Sequence, residues 1–77
     1  MSYDPIKSIK TCNDIAFLEE MLNKYIPMDY ANLTVENNEL YAKMFGKDVN
    51  EVIKTKRKGI DKIKSIVIKR LNYLKNK

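Results

Sequence analysis

The 77-residue chain contains no histidine and no tryptophan, one cysteine, two prolines and two glycines. Without an imidazole there is no His base, no Ser-His or Cys-His pair, and no zinc site that uses His. Cys12 alone forms no internal disulfide and no Cys-rich metal framework, and it suits a reducing compartment. Gly46 and Gly59 are too few for a phosphate-cradling loop or a dinucleotide fingerprint. The longest uninterrupted apolar run is Ile15–Leu18, far short of the ~20 residues of a membrane span. The opening residues lack the basic and apolar regions of a signal peptide. An intracellular, cytoplasmic protein is expected, with no catalytic residues, no cofactor, no metal and no membrane partner. An enzyme is not.

What the chain does have is charge, unevenly placed. Residues 1–50 carry five lysines against eight carboxylates, a net of −3, whereas residues 51–77 carry ten Lys or Arg against Glu51 and Asp61, a net of +8. A basic final third behind an acidic body points to an anionic partner, of which nucleic acid is the commonest. The competing reading is that these lysines only solvate an exposed helix. Lys, Ile and Asn make up 30 of the 77 residues, and their AT-rich codons point to an AT-rich bacterial, phage or viral genome.

No repeat, low-complexity tract or linker divides the chain, so one domain over residues 1–77 is expected. Its periodicity is helical throughout. Asp4-Pro5 reads as an N-cap and first helical position, opening a turn with Ile6 and Ile9. Thr11 with Asp14 reads as a capping box for a helix whose stripe is Ile15, Leu18, Leu22, Tyr25 and Ile26, ended by Pro27. Thr34 caps a helix over about 35–45 with Leu40, Tyr41, Met44 and Phe45 as its apolar residues, and Gly46 closes it. Asp48 and Glu51 form a second capping box. The helix they open carries Val49, Val52, Ile53, Ile60, Ile63, Val67, Leu71 and Leu74, and Gly59 costs it ~1 kcal/mol without breaking it. No segment alternates as a half-buried strand does.

The join at residues 42–52 meets a specific steric requirement. Two helices that cross with only Gly46-Lys47-Asp48 between them need a small residue at the crossing, a glycine in the turn, and an aliphatic residue facing back. Ala42, Gly46 and Val52 supply these. The alternative is a plain helical hairpin with a glycine cap. The segment Leu40-Tyr41-Ala42-Lys43-Met44-Phe45-Gly46, followed by Val52 and a basic stretch, resembles the helix-turn-helix of bacterial transcription regulators. Within that group it is most similar to the promoter-reading C-terminal domain of sigma factors and to related short phage regulators, over about residues 37–71. Lys47 and Thr55 stand where those proteins usually have apolar residues. With the helical periodicity throughout, the expected fold is an all-α domain of three to four helices, with a helix-turn-helix over about 35–58 and a long basic C-terminal helix to residue 76.

The apolar stripe is interrupted between Ile53 and Ile60, where Lys56 and Arg57 occupy core-phase positions, so this stretch is expected to project past the body. If its first turns enter a major groove, Asn50, Lys54, Thr55 and Arg57 are the candidates for base edges, since Asn can pair with adenine and Arg with guanine. Lys47, Lys56, Lys58 and Lys62 suit phosphates. Tyr3, Tyr30 and Tyr73 could stack on bases, although tyrosines at these spacings more often pack. The band Ile63, Ile66, Val67, Leu71 and Leu74, with Ile68 off it, is wide enough either for a homodimer or for packing against Ile6 and Ile9. The expected function is a double-stranded DNA-binding transcriptional regulator of phage or plasmid type. The alternative is a small helical module that binds protein, an inhibitor or adaptor of RNA polymerase or a subunit of a larger complex. In that case Asp14, Glu19 and Glu20 would face a basic surface.

Overall fold

A computed structural model describes residues 4–76, and every regular element among them is helical. Tyr3 lies outside the described residues. Helix α1, Pro5–Lys10, begins where Asp4 accepts from the amides of Ile6 and Lys7 at 3.1 and 3.3 Å. Pro5 sits at its start, where a missing N–H costs nothing. The helix ends at Thr11, whose hydroxyl donates back to the carbonyl of Lys7 at 3.0 Å. Thr11 therefore closes α1 and does not cap the next helix. That cap is Asp14, which accepts from Phe17 N at 3.1 Å to open α2, Ile15–Glu20.

Pro27 does not end this helix. The chain passes from α2 through a π-helical turn, Met21–Tyr25, straight into α3, Ile26–Ala31. A proline inside a helix lacks an N–H and its ring collides with the carbonyl four residues back. Here the turn before Pro27 is widened, with Ile26 N bonding Met21 O across five residues. The wide turn takes up the misfit that would otherwise stop the helix.

Helix α4, Val35–Met44, starts where Thr34 Oγ1 accepts from Asn37 N at 3.1 Å. Helix α5, Val49–Lys75, starts where Asp48 accepts from Asn50 N at 3.1 Å, and it runs through Gly59 unbroken for 27 residues. Glu51 makes no return bond, so Asp48 caps alone. At 1.5 Å per residue α5 is about 40 Å long, most of the molecule's 47 Å length.

The core lies along the C-terminal half of α5. Ile9 of α1, Leu18 of α2 and Ile26 of α3 are buried with Val67 and Leu71, and Ile60, Ile63, Ile66 and Leu74 pack around them. The five residues considered for a homodimer are thus used inside the chain: α1 and the 15–31 segment between them cover the wide apolar band. Only Ile68 is left exposed.

The apolar residues of α4 are placed otherwise than their type predicts. Leu40, Tyr41, Met44 and Phe45 are exposed, while Asn38 and Ala42 are buried. The extensive packing of α4 is against α5 alone, so it has one narrow inner side, and the small Ala42 and the amide Asn38 fill it. Residues 54–59 of α5 are all exposed, and α4 reaches this stretch through the bond between Lys56 and Asn38. No helix among the described residues is long and apolar enough to cross a membrane.

Candidate nucleic-acid interface

The join between α4 and α5 is a Schellman turn. Lys47 N donates to Ala42 O at 2.8 Å and Gly46 N to Lys43 O at 3.3 Å, and Gly46 has φ = 62°. A positive φ at this position is what a side chain resists and glycine accepts. Ala42 and Val52 are both buried on either side of the turn. The small-glycine-aliphatic spacing thus has its expected local geometry.

Lys47, Asn50, Lys54, Thr55, Lys56, Arg57, Lys58 and Lys62 are all exposed. Exposure does not make them one surface. At 3.6 residues per turn, Asn50, Lys54, Arg57 and Lys58 form a stripe on α5 opposite Val52. Thr55 and Lys62 lie on its shoulder, and Lys47 sits in the turn. Among the described residues, none of these seven side chains makes an ion pair or a hydrogen bond.

Lys56 is different. Its ammonium turns onto α4, donating to Asn38 Oδ1 at 2.6 Å and standing 5.2 Å from the centre of the Tyr41 ring. It closes one side of a groove of about 420 Å³ between Tyr41, Val52, Thr55 and the 46–48 turn. Lys56 keeps its charge, but its ammonium is directed onto α4 and not outward with the stripe.

The stripe ends at Asp61, one turn beyond Arg57. The Tyr30 hydroxyl of α3 donates to Asp61 Oδ1, and Lys64 lies 5.8 Å from the Tyr30 ring. That hydrogen bond holds the phenol above its ordinary pKa, with desolvation and the Asp61 charge acting the same way and Arg57 opposing them. Tyr30 is a packing residue here. Tyr73 is exposed, with the Arg70 guanidinium 5.0 Å from its ring centre.

On the shoulder side the cations continue. Lys58, Lys62 and Lys69 share a side of α5, and α1 brings Lys10 beside Lys62 and Lys69 in a groove of about 510 Å³ also lined by Ile66 and Tyr73. Arg70 borders this groove but is held by the chain, donating to Cys12 O and Asn13 Oδ1 at 2.7 Å each. Lys10 and Lys69 were not among the residues expected from the sequence. Spacing from Lys58 and Lys62 could have found Lys69; only the packing of α1 on α5 brings in Lys10.

Comparison with family models, curated proteins and solved structures gave no match. What the surface can do follows from its chemistry. It offers unpaired ammonium and guanidinium groups at helical spacing, one amide and one hydroxyl, and among the described residues no cluster able to hold a metal ion.

Proposed function

We propose that the protein is a double-stranded DNA-binding transcriptional regulator of phage or plasmid type, with α4 and α5 as its helix-turn-helix. The observation that carries this reading is the stripe of Asn50, Lys54, Arg57 and Lys58, exposed and unpaired on the first turns of α5, directly after a positive-φ glycine turn. In this reading Asn50, Lys54, Thr55 and Arg57 face base edges, and Lys47, Lys58 and Lys62 hold phosphates. Lys10 and Lys69 extend the cationic side toward the far end of α5.

The protein-binding alternative, with RNA polymerase as one partner, draws less support from the acidic residues first considered for it. Asp14 is occupied as a helix cap and Glu19 pairs with Lys75 at 3.0 Å, leaving Glu20. A mobility-shift assay on genomic fragments at two salt concentrations tests the DNA reading. Each phosphate contact should contribute about −0.9 to the slope of log affinity against log salt. Three contacting lysines give a slope of roughly −3. No retardation at low salt overturns the reading.

A further inference from the structure

The outward face of α4, centred on Leu40 and Met44, has no cover within the chain. Leu40 is 72% exposed, Met44 71% and Phe45 59%, and Tyr41 stacks on Phe45 with ring centres 4.7 Å apart. These four are adjacent on the helix surface, because residues three and four apart are neighbours. An apolar face this concentrated on a ten-residue helix marks an interaction surface. Leu40 and Met44 lie opposite Asn38 and Ala42, the side that packs on α5, and Tyr41 and Phe45 form the flank between the two sides.

The charges beside this face identify what fits it. Glu36, Glu39 and Lys43 lie on one flank at i, i+3 and i+7, acidic toward the start of α4 and basic toward its end. In a two-fold pairing of antiparallel helices, like flanks meet with their ends reversed. Glu36 would then lie beside the second copy's Lys43, on both sides of the axis. A parallel pairing would set this flank against the Tyr41–Phe45 flank and lose the match. Glu39 and Lys43 are 3.9 Å apart and both well exposed, so neither charge is sequestered. We infer that α4 is a dimerisation helix, seating its Leu40–Met44 face antiparallel on α4 of a second copy.

The inference stands apart from DNA binding. One helix per copy makes a small interface, below the ~800 Å² a side of standard complexes, so the dimer is concentration-dependent and not obligate. Sedimentation equilibrium of the full chain, from micromolar to submillimolar concentration, should show the mass rising from 9.0 kDa toward twice that value. Leu40→Glu and Met44→Glu should each hold the chain at monomer mass across that range. Because both side chains are exposed, circular dichroism and melting should stay unchanged. Glu36→Lys should weaken the dimer, and adding Lys43→Glu should restore it, since both copies then carry the reversed pair. A monomer at every concentration, or a dimer indifferent to Leu40→Glu and Met44→Glu, overturns the inference. A dimer lost with Leu40→Glu but unmoved by Glu36→Lys overturns the antiparallel arrangement.

Discussion

Lys56 donates to the buried amide of Asn38, and through that one bond a cation of α5 completes the inner side of α4. Asn38 Nδ2 donates to the carbonyls of Thr34 at 2.7 Å and Asn32 at 3.3 Å, so the amide is satisfied at both ends. A buried polar group left without a partner costs about 1–3 kcal/mol. Asn38→Ala should therefore lower unfolding stability by roughly that amount in urea titration. Lys56→Met should cost about 1 kcal/mol, and the double variant should cost about 1 kcal/mol less than the sum. Strict additivity would mean that the bond contributes nothing. Lys56→Met should also leave the salt slope of DNA binding unchanged, in contrast to the lysines of the outer stripe.

Arg57 and Lys58 are neighbours with different expected roles. Arg57→Ala should cost about 1–3 kcal/mol on a preferred DNA site and relax discrimination at one base position. Lys58→Ala should weaken binding to all sequences alike and reduce the magnitude of the salt slope by about one. Neither side chain touches the core, so melting temperatures should hold. If Lys54, Arg57 and Lys58 can all be alanine without loss of DNA binding, the stripe is only a solvated face.

The two glycines should respond to alanine with opposite signs. A Cβ at either position meets open space, so only the backbone decides. Gly46 has φ = 62°, and Gly46→Ala should destabilise by about 1 kcal/mol through left-handed strain. Gly59 lies inside α5 with no such torsion, and Gly59→Ala should stabilise by about 0.5–1 kcal/mol. Thermal melts of the two variants check the pair. A stabilised Gly46→Ala would contradict the Schellman turn.

Tyr30 gives an alkaline signature. Its folded pKa is raised by the hydrogen bond to Asp61, so its contribution to stability is complete below the unfolded value near 10. That contribution is lost as pH rises through the folded value. Stability should be insensitive to this group at neutral pH and fall in the alkaline range. In Tyr30→Phe that part of the alkaline loss should be absent, and one phenol should vanish from the ultraviolet absorbance titration. Identical alkaline profiles for the two proteins would exclude the Tyr30–Asp61 bond as its source.

Local signals determined the helices and their caps. Asp4-Pro5, Thr34, Gly46 and Asp48 act through bonds to residues two to four positions away, so sequence alone is sufficient to place them. The 3.6-residue period likewise fixed the buried line Val52, Val67 and Leu71, and it placed Asn50, Lys54, Arg57 and Lys58 together on one outward stripe. Pro27 shows the limit of such rules: its usual effect is to stop a helix, and a π turn ending two residues earlier absorbed it.

Tertiary packing decided which apolar residues have company. By type, Leu40, Met44 and Phe45 belong to a core and Asn38 and Lys56 do not. Yet α4 packs extensively on α5 alone, and a helix with one main neighbour buries one narrow side whatever its other residues are. Ala42 lets that side lie close, and Asn38 fills the rest because Thr34, Asn32 and Lys56 satisfy its amide. The same long-range arrangement spent Ile63, Ile66 and Leu74 inside the chain and carried Lys10 from α1 to the cations of α5. Periodicity names the faces of a helix; only the neighbours a fold supplies determine which face is covered.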